Sequence, residues 1–230
     1  MKRLVVFTGA GISAESGIKT FRDSGGLWEN YAVEDVATPH AWYKNPELVL
    51  EFYNQRRKQV ISAKPNAAHL SLVELEKGFE VVVITQNIDD LHERAGSSQV
   101  VHLHGEIMKS RSSLNPSLIY QMEGDSILLG DKCERGSQLR PHIVWFGESV
   151  PMMDKAIEIT EKADIFLVIG TSLAVYPAAS LLQFTPEHTM TILIDPNANA
   201  DELPTHFTVV AENAAYGVPQ LVKKLLKAYV

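Results

Sequence analysis

The sequence predicts an α/β protein: a mostly parallel sheet covered by helices on both faces. Apolar runs without alternation recur at Leu4 to Phe7, Glu80 to Thr85, Asp164 to Ile169, Thr191 to Ile194 and Phe207 to Val210. Strands buried on both faces read this way. Helical stretches separate the runs, and repeated strand-then-helix units build a parallel sheet. A polar segment follows almost every strand: Thr8-Gly9, Gln86-Asn87-Ile88-Asp89, His104-Gly105, Gly170-Thr171-Ser172, Asp195-Pro196-Asn197, and the stretch to Ala214. If the strands are parallel, these ends meet on one edge, where open parallel sheets bind ligands.

The elements follow in order. After the first strand, Gly9-Ala10-Gly11-Ile12-Ser13-Ala14 fits G-x-G-x-x-G/A. Gly9 permits a tight turn, Gly11 lets the backbone approach a pyrophosphate, and the following helix turns its amides to the negative charge. The acidic ribose ligand usual about 20 residues on is missing, so this is not an ordinary dehydrogenase fingerprint. Lys19 to Tyr31, with Gly25-Gly26 as hinge, reads as a mobile cover. Residues 33–63 read as helical, with Asn45 capping a helix that opens at Pro46. Ala67 to Lys77 is a further helix, closed by Gly78 as a left-handed cap. A short helix from Leu91 stops at Gly96, and Val100 to His104 is a strand ended by Gly105. Residues 105–140 are polar and aperiodic and read as a small inserted subdomain. Pro151 to Lys162, Ala178 to Leu182 and Gly217 to Tyr229 complete the helices; Val218, Leu221, Val222 and Leu225 share one face of the last.

Composition bounds the function. At 230 residues with 45% apolar content, the chain suits one domain, or one large and one small. A net charge of -7 offers no basic field for nucleic acid. The single cysteine, Cys133, excludes an internal disulfide framework and suits a reducing compartment. No signal peptide is evident, and no apolar stretch approaches the ~18 residues of a membrane span. A soluble, monomeric, cytoplasmic protein is expected.

His104, at a strand end, is the candidate for acid–base work, since imidazole titrates near neutrality. His102 points to the same strand face but lies inside the strand and reads as a hydrogen-bonded core residue. Asn87 and Asp89 suit either ribose hydroxyls and a water, or turn-making and capping. His69, His92, His142, His188 and His206 read as structural or surface residues.

Together, Gly9-Ala-Gly-Ile-Ser13 with Phe21-Arg22, Thr85-Gln-Asn-Ile-Asp89, Leu103-His-Gly105, Phe146-Gly147-Glu148 and Gly170-Thr-Ser172 resemble the sirtuins, NAD-dependent protein lysine deacylases. The resemblance implies a Rossmann-like large part, about residues 1–30, 66–104 and 141–230, and a small domain from insertions at about 31–65 and 105–140. It implies that Gly9, Ala10 and Gly11 hold the NAD phosphates, with Ile12, Glu15 and Trp28 in the same cofactor set. Phe21 and Arg22 would lie beside the nicotinamide ribose. Gln86 and Asn87 would bond the ribose and a water, and Ile88 and Asp89 would seat the carboxamide. Gly170, Thr171, Ser172, Asn197 and Ala214 would line the adenosine half. Asn87 would assist His104, the general base, which draws a proton through the ribose hydroxyls. The products would be nicotinamide, free lysine and O-acyl-ADP-ribose.

Tyr53 and Arg56 stand three apart on one helix face, where a phenol and a guanidinium can hold a carboxylate. The pair resembles the Tyr-x-x-Arg of sirtuins that remove succinyl and malonyl groups, and Ala37 matches the small residue that widens their acyl pocket. By charge pattern alone, Arg56-Arg57-Lys58 reads as a solvated face; the resemblance reverses that reading for Arg56. Val144, Phe146 and Gly147 complete the implied substrate set. Most sirtuins carry two Cys-x-x-Cys pairs for structural zinc. Here Lys109 to Ser113 and Asp131 to Gly136 hold one cysteine between them, too few for a tetrahedral thiolate site, so no zinc is expected. Leu114, Leu118, Ile119, Tyr120, Ile127, Leu128 and Leu129 are then expected to pack the small domain. Cys133 is expected to be a spare thiol with no low-pKa setting. A protein ADP-ribosyltransferase and a non-catalytic NAD or ADP-ribose sensor remain alternatives.

Overall fold

The computed structural model describes residues 1–19, 27–28, 31–171, 173, 175–198 and 207–229, with backbone alone at Leu27 and Trp28. Strand β1 (Lys2–Thr8) leads into the single turn α1 (Gly11–Ala14). A two-stranded ribbon, β2 (Leu27–Trp28) and β3 (Tyr31–Ala32), precedes α2 (Val33–Val36), α3 (Pro39–Lys44), α4 (Pro46–Ser62) and α5 (Ala67–Glu74). Then come β4 (Phe79–Thr85), α6 (Leu91–Ala95), β5 (Val100–His102), β6 (Gly105–Ser112), β7 (Ile119–Gln121) and β8 (Leu139–Ile143). The chain closes with α7 (Met153–Thr160), β9 (Ile165–Ile169), a 3-10 helix (Ala178–Phe184), β10 (Met190–Ile194), β11 (Phe207–Val210) and α8 (Ala214–Tyr229).

Among the described residues, the main sheet has six strands in the order β11-β10-β9-β1-β4-β5, all paired in parallel. Alternate residues of β1 serve opposite faces, as the strand repeat requires. Leu4 and Val6 pack with Leu72 of α5 and Val218 and Val222 of α8. Val5 and Phe7 pack with Ala156 of α7 and with Ala178 and Leu181. This sandwich is the architecture the apolar runs predict. A separate antiparallel sheet, β7-β6-β8, stands apart from it.

Several expectations need correction. Gly78 is not a left-handed cap: its φ is −129°, because α5 tightens into a 3-10 turn over Leu75–Lys77 before the chain leaves. Gly96 does close α6 in the left-handed conformation. Strand β5 stops at His102, and Gly105 opens β6 rather than ending β5. The expected small-domain core is largely exposed: Leu114, Leu128, Leu129 and Ile119 face solvent, and of that set only Ile127 is fully buried. Side-chain bonds to backbone hold this region instead. Arg57, 0% exposed, donates from Nε to the Ile107 carbonyl (2.7 Å) and from Nη1 to Asn54 and the Asp125 carbonyl. Asn54 pairs with both backbone groups of Ile127 at 2.9 Å. Cys133 also departs from expectation, because bonds with Ser137 and Ser112 lower its thiol pKa to about 7.

His69 and His92 are fully buried and meet edge to face, their ring centres 4.9 Å apart. Burial holds the His69 pKa down at about 4. A buried imidazole that resists protonation makes the unfolded state bind the proton first. Stability present above the ordinary value of 6.5 is therefore lost as pH falls toward 4. From pH 7.5 to 5, His69 is expected to contribute a loss of about 2 kcal/mol. In Tm measurements across that range, His69→Gln, which keeps an acceptor for the Asn66 N–H, is expected to decline less steeply than the wild type.

Candidate functional site

The chain leaves β1 toward β4 and β5 on one side and returns through β9, β10 and β11 on the other. The strand order therefore reverses between β1 and β9, the place where open parallel sheets form a ligand crevice. The two loops that leave these strands are locked together. The Gly9 N–H donates to Ile169 O (3.0 Å) and the Gly11 N–H to Gly170 O (2.8 Å). A Cβ on Gly11 would lie 2.6 Å from Gly170 Cα. Gly170 itself has φ +61°, a left-handed conformation. Glycine at position 11 thus admits the second loop. The helix amides are not turned outward as expected. The N–H groups of Gly9, Gly11, Ile12 and Ser13 are all bonded within the protein, because α1 is one turn tied to its neighbour. The Ile12 side chain is fully buried, and its N–H and carbonyl are bonded to Gly9 O and Asn66 Nδ2.

Ser13, which the motif passes over, joins this loop to the end of β4. Its hydroxyl donates to Asp89 Oδ2 (3.0 Å) and accepts from Asn87 Nδ2 (3.1 Å). Burial raises the Asp89 pKa, partly offset by its bonds from the Leu91 N–H and Ser13. The Gln86 amide donates to Thr171 Oγ1 (3.0 Å), so two of the sequence candidates meet across the β1–β9 crossing. Glu15 accepts from the Ala215 N–H (2.7 Å) and so anchors the start of α8 at Ala214. The Asn197 N–H is turned back onto Asp195 Oδ1 (2.9 Å).

His104 Nδ1 lies 2.9 Å from Gln86 O. A carbonyl only accepts, so Nδ1 carries the hydrogen and Nε2 the lone pair. Burial lowers the His104 pKa, with the Gln86 bond opposing. The ring is therefore neutral near pH 7 and basic at one defined atom, as proton abstraction requires.

The segment after β8 joins His104 to the α4 face. The Val144 N–H donates to His104 O (2.9 Å) and the Phe146 N–H to Ala37 O (3.0 Å). Between them, Trp145 packs in one buried cluster with Ala37 and Tyr53. Tyr53 is 1% and Arg56 5% exposed, so the solvated-face reading fails for Arg56 and Arg57. Burial raises the Tyr53 pKa, so its hydroxyl keeps its proton. Arg140 supports this wall: its guanidinium stacks 3.2 Å from the Trp145 ring centre and pairs with Glu148 at 2.8 Å. Phe146 is half exposed at its edge, and Gly147 turns with φ +88°.

Phe21, Arg22, Ser172 and the Trp28 side chain lie outside the described residues. Among the described residues, no group of three or more His, Cys, Asp and Glu side chains is arranged to hold a metal ion. Cys133 Sγ lies 3.0 Å from Ser137 Oγ, which meets Ser112 Oγ at 2.7 Å. No described helix is long and apolar enough to cross a membrane.

Fold and site define an α/β protein whose strand order reverses between β1 and β9, with a neutral imidazole, His104, held against the loop that leaves β4. Comparison with known proteins narrows the class. Residues 9–177 match the Sir2 family. A Helicobacter pylori protein named NAD-dependent protein deacylase is 51% identical over 227 residues, covering 99% of this chain and 97% of its own length. A Bacteroides thetaiotaomicron protein of the same name is 53% identical over 233 residues, with 99% and 100% covered. The crystal structure of a Sir2 homologue–NAD complex superposes with a TM-score of 0.89 at 41% identity, covering 100% of this chain and 91% of that one. The chain belongs to the Sir2 family.

Ser13→Ala would strip one bond each from the buried Asp89 and Asn87. It is expected to lower unfolding free energy by about 1–3 kcal/mol, measured by denaturant titration.

Proposed function

We propose that this chain is an NAD-dependent protein deacylase that removes succinyl and malonyl groups, and acetyl groups also, from protein lysines. It would act as a cytoplasmic monomer and release nicotinamide and O-acyl-ADP-ribose. The observation that carries the reading is continuity: residues 144–146 tie the backbone of His104 to Ala37 and to the buried face that bears Tyr53 and Arg56. A base and a carboxylate-holding pair then flank one cleft. Full-length relatives named NAD-dependent protein deacylase support the reaction class. The division into a large part and an inserted small domain belongs to the same reading.

Bound NAD would supply an electrophilic ribose carbon, to which the acyl-lysine carbonyl oxygen would bond as nicotinamide departs. The rest falls to the chain. Thr171 would line the adenosine half of the cosubstrate, Gln86 and Asn87 would bond its ribose and a water, and Asp89 would seat its carboxamide. His104 Nε2 would take a proton through the ribose hydroxyls, so that the 2′-oxygen could attack the bound acyl carbon, and water would then release lysine and O-acyl-ADP-ribose. Tyr53 and Arg56 hold the distal carboxylate of a succinyl or malonyl group through charge-assisted bonds. Phe146 and Val144 flank the lysine stem. The buried guanidinium favours this arrangement over ADP-ribosyl transfer, which needs no anion pocket.

The direct test is turnover of one peptide carrying succinyl-, malonyl- or acetyl-lysine, with and without NAD. Preference for the acidic acyl groups, with nicotinamide released only when acyl-peptide is present, is expected; equal or better use of acetyl would refute the specificity. Arg56→Met is expected to raise the succinyl-peptide KM roughly 10- to 150-fold, the worth of a lost charge-assisted bond, while acetyl-peptide use stays within about twofold. Parallel loss of both activities would make Arg56 structural. His104→Tyr is expected to abolish every deacylation. The base works neutral and its pKa is lowered, so the acid limb of kcat/KM is expected below the ordinary imidazole value of 6.5.

A further inference from the structure

His102 and His104 stand two residues apart, and their Nδ1 atoms reach consecutive carbonyls. His102 Nδ1 lies 2.9 Å from Asn87 O, and His104 Nδ1 lies 2.9 Å from Gln86 O. The second nitrogens differ. His102 Nε2 lies 2.8 Å from Glu93 Oε1. A carbonyl and an ionised carboxylate both only accept, so His102 has to donate through both nitrogens and is an imidazolium.

The residue it holds is tightly constrained. The Asn87 N–H donates to Thr85 Oγ1 (3.0 Å), its Nδ2 to Ser13 Oγ (3.1 Å), and its carbonyl accepts from His102. Among the described residues, Oδ1 is the one polar atom of Asn87 left without such a bond, so these anchors together fix where it points.

We propose that the His102–Glu93 ion pair is a positioning device for the NAD-binding segment 86–89, setting dinucleotide affinity through the Asn87 carbonyl while His104 alone performs the proton transfer. This rests on the reading that Asn87 contacts NAD and that His104 is the base. The His102 side chain is 7% exposed, while its partner Glu93 stands at the surface with 42% exposed. Glu93 on α6 and Glu106 on β6 bring negative charge to His102, Asp89 and His92 lie within electrostatic reach of it, and Lys109 within reach of Glu93. Burial opposes the imidazolium, but the Glu93 bond and charge outweigh it and raise the His102 pKa. Above that pKa the ring keeps one hydrogen, and one of its two bonds must be lost. Affinity for NAD is therefore present below the raised His102 pKa and weakens as pH rises through it.

The experiment combines calorimetric titration of NAD into the full-length protein with steady-state kinetics across pH. Glu93→Gln keeps an oxygen acceptor but removes the charge. It is expected to move the alkaline weakening of NAD affinity to lower pH, with kcat at saturating NAD and the acyl-peptide KM within twofold of wild type. His102→Leu is expected to raise the NAD Kd roughly tenfold or more at pH 7.5, the scale of a lost charge-assisted bond. His102→Gln, whose amide can still donate to Asn87 O, is expected to recover much of that loss. If Tm falls in these variants while NAD Kd and its pH profile stay put, the pair is merely structural and the proposal is overturned. A fall in kcat at unchanged NAD Kd overturns it too, by placing His102 in the chemistry. Deacylation that survives His104→Tyr would instead refute the underlying assignment of the base, whatever the Glu93 result.

Discussion

The site depends on a close crossing of two loops. Strands β1 and β9 are neighbours in the sheet, and the loops that leave them bond to each other before they diverge. The crossing tolerates no side chain, since a Cβ on Gly11 would sit 2.6 Å from Gly170 Cα. Interiors are packed too tightly for such an overlap to be absorbed without moving backbone. The glycines therefore set the distance between the two halves of the sheet at its switch point. Gln86 can then reach Thr171, and Ser13 can reach Asp89 and Asn87.

Around that crossing, polar groups are buried only where their partners are fixed. Asn66 caps α5 with its Oδ1, while its Nδ2 bonds the Ile12 carbonyl (2.7 Å) and Ser16 (3.0 Å), so a helix start on one layer holds the glycine loop after β1. Arg57 and Arg140 do the same for the smaller sheet, with backbone carbonyls and Glu148 as partners. Such groups are costly if left alone in the interior, so each tends to specify one arrangement of the elements it joins. That arrangement places Trp145 in one buried cluster with Tyr53 and Ala37.

The two histidines at and just beyond the end of β5 illustrate how environment sets the state of a ring. Both bind a backbone carbonyl through Nδ1, and their sequence settings differ by two positions. A carboxylate on Nε2 favours the doubly protonated ring in one, and its absence leaves the other a neutral imidazole. Residue type sets the range of a pKa; neighbours choose the value within it.

Much of this was legible in the sequence. Unbroken apolar runs such as Val81 to Ile84 can only be strands buried on both faces, and the polar residues after them fall where parallel strands end. Asn45 and Pro46 fixed the start of α4, as capping chemistry is local. Residue order therefore determined the α/β class, the edge of the sheet that carries the site, and His104 at that edge. Other features were decided by the tertiary structure, because they depend on contacts between distant segments. The burial of Arg56 and Arg57 follows from the packing of α4 against residues some 50 positions away, while their charge pattern reads as a solvated face. The exposure of Leu114 and Leu128 follows from a small sheet pinned by polar bonds rather than by an apolar core. Ser13, an ordinary residue in a glycine motif, becomes the bridge to Asp89 only once β1 and β4 lie side by side. Local chemistry is written in neighbouring residues; the partner of a buried polar group is chosen by the fold that brings it there.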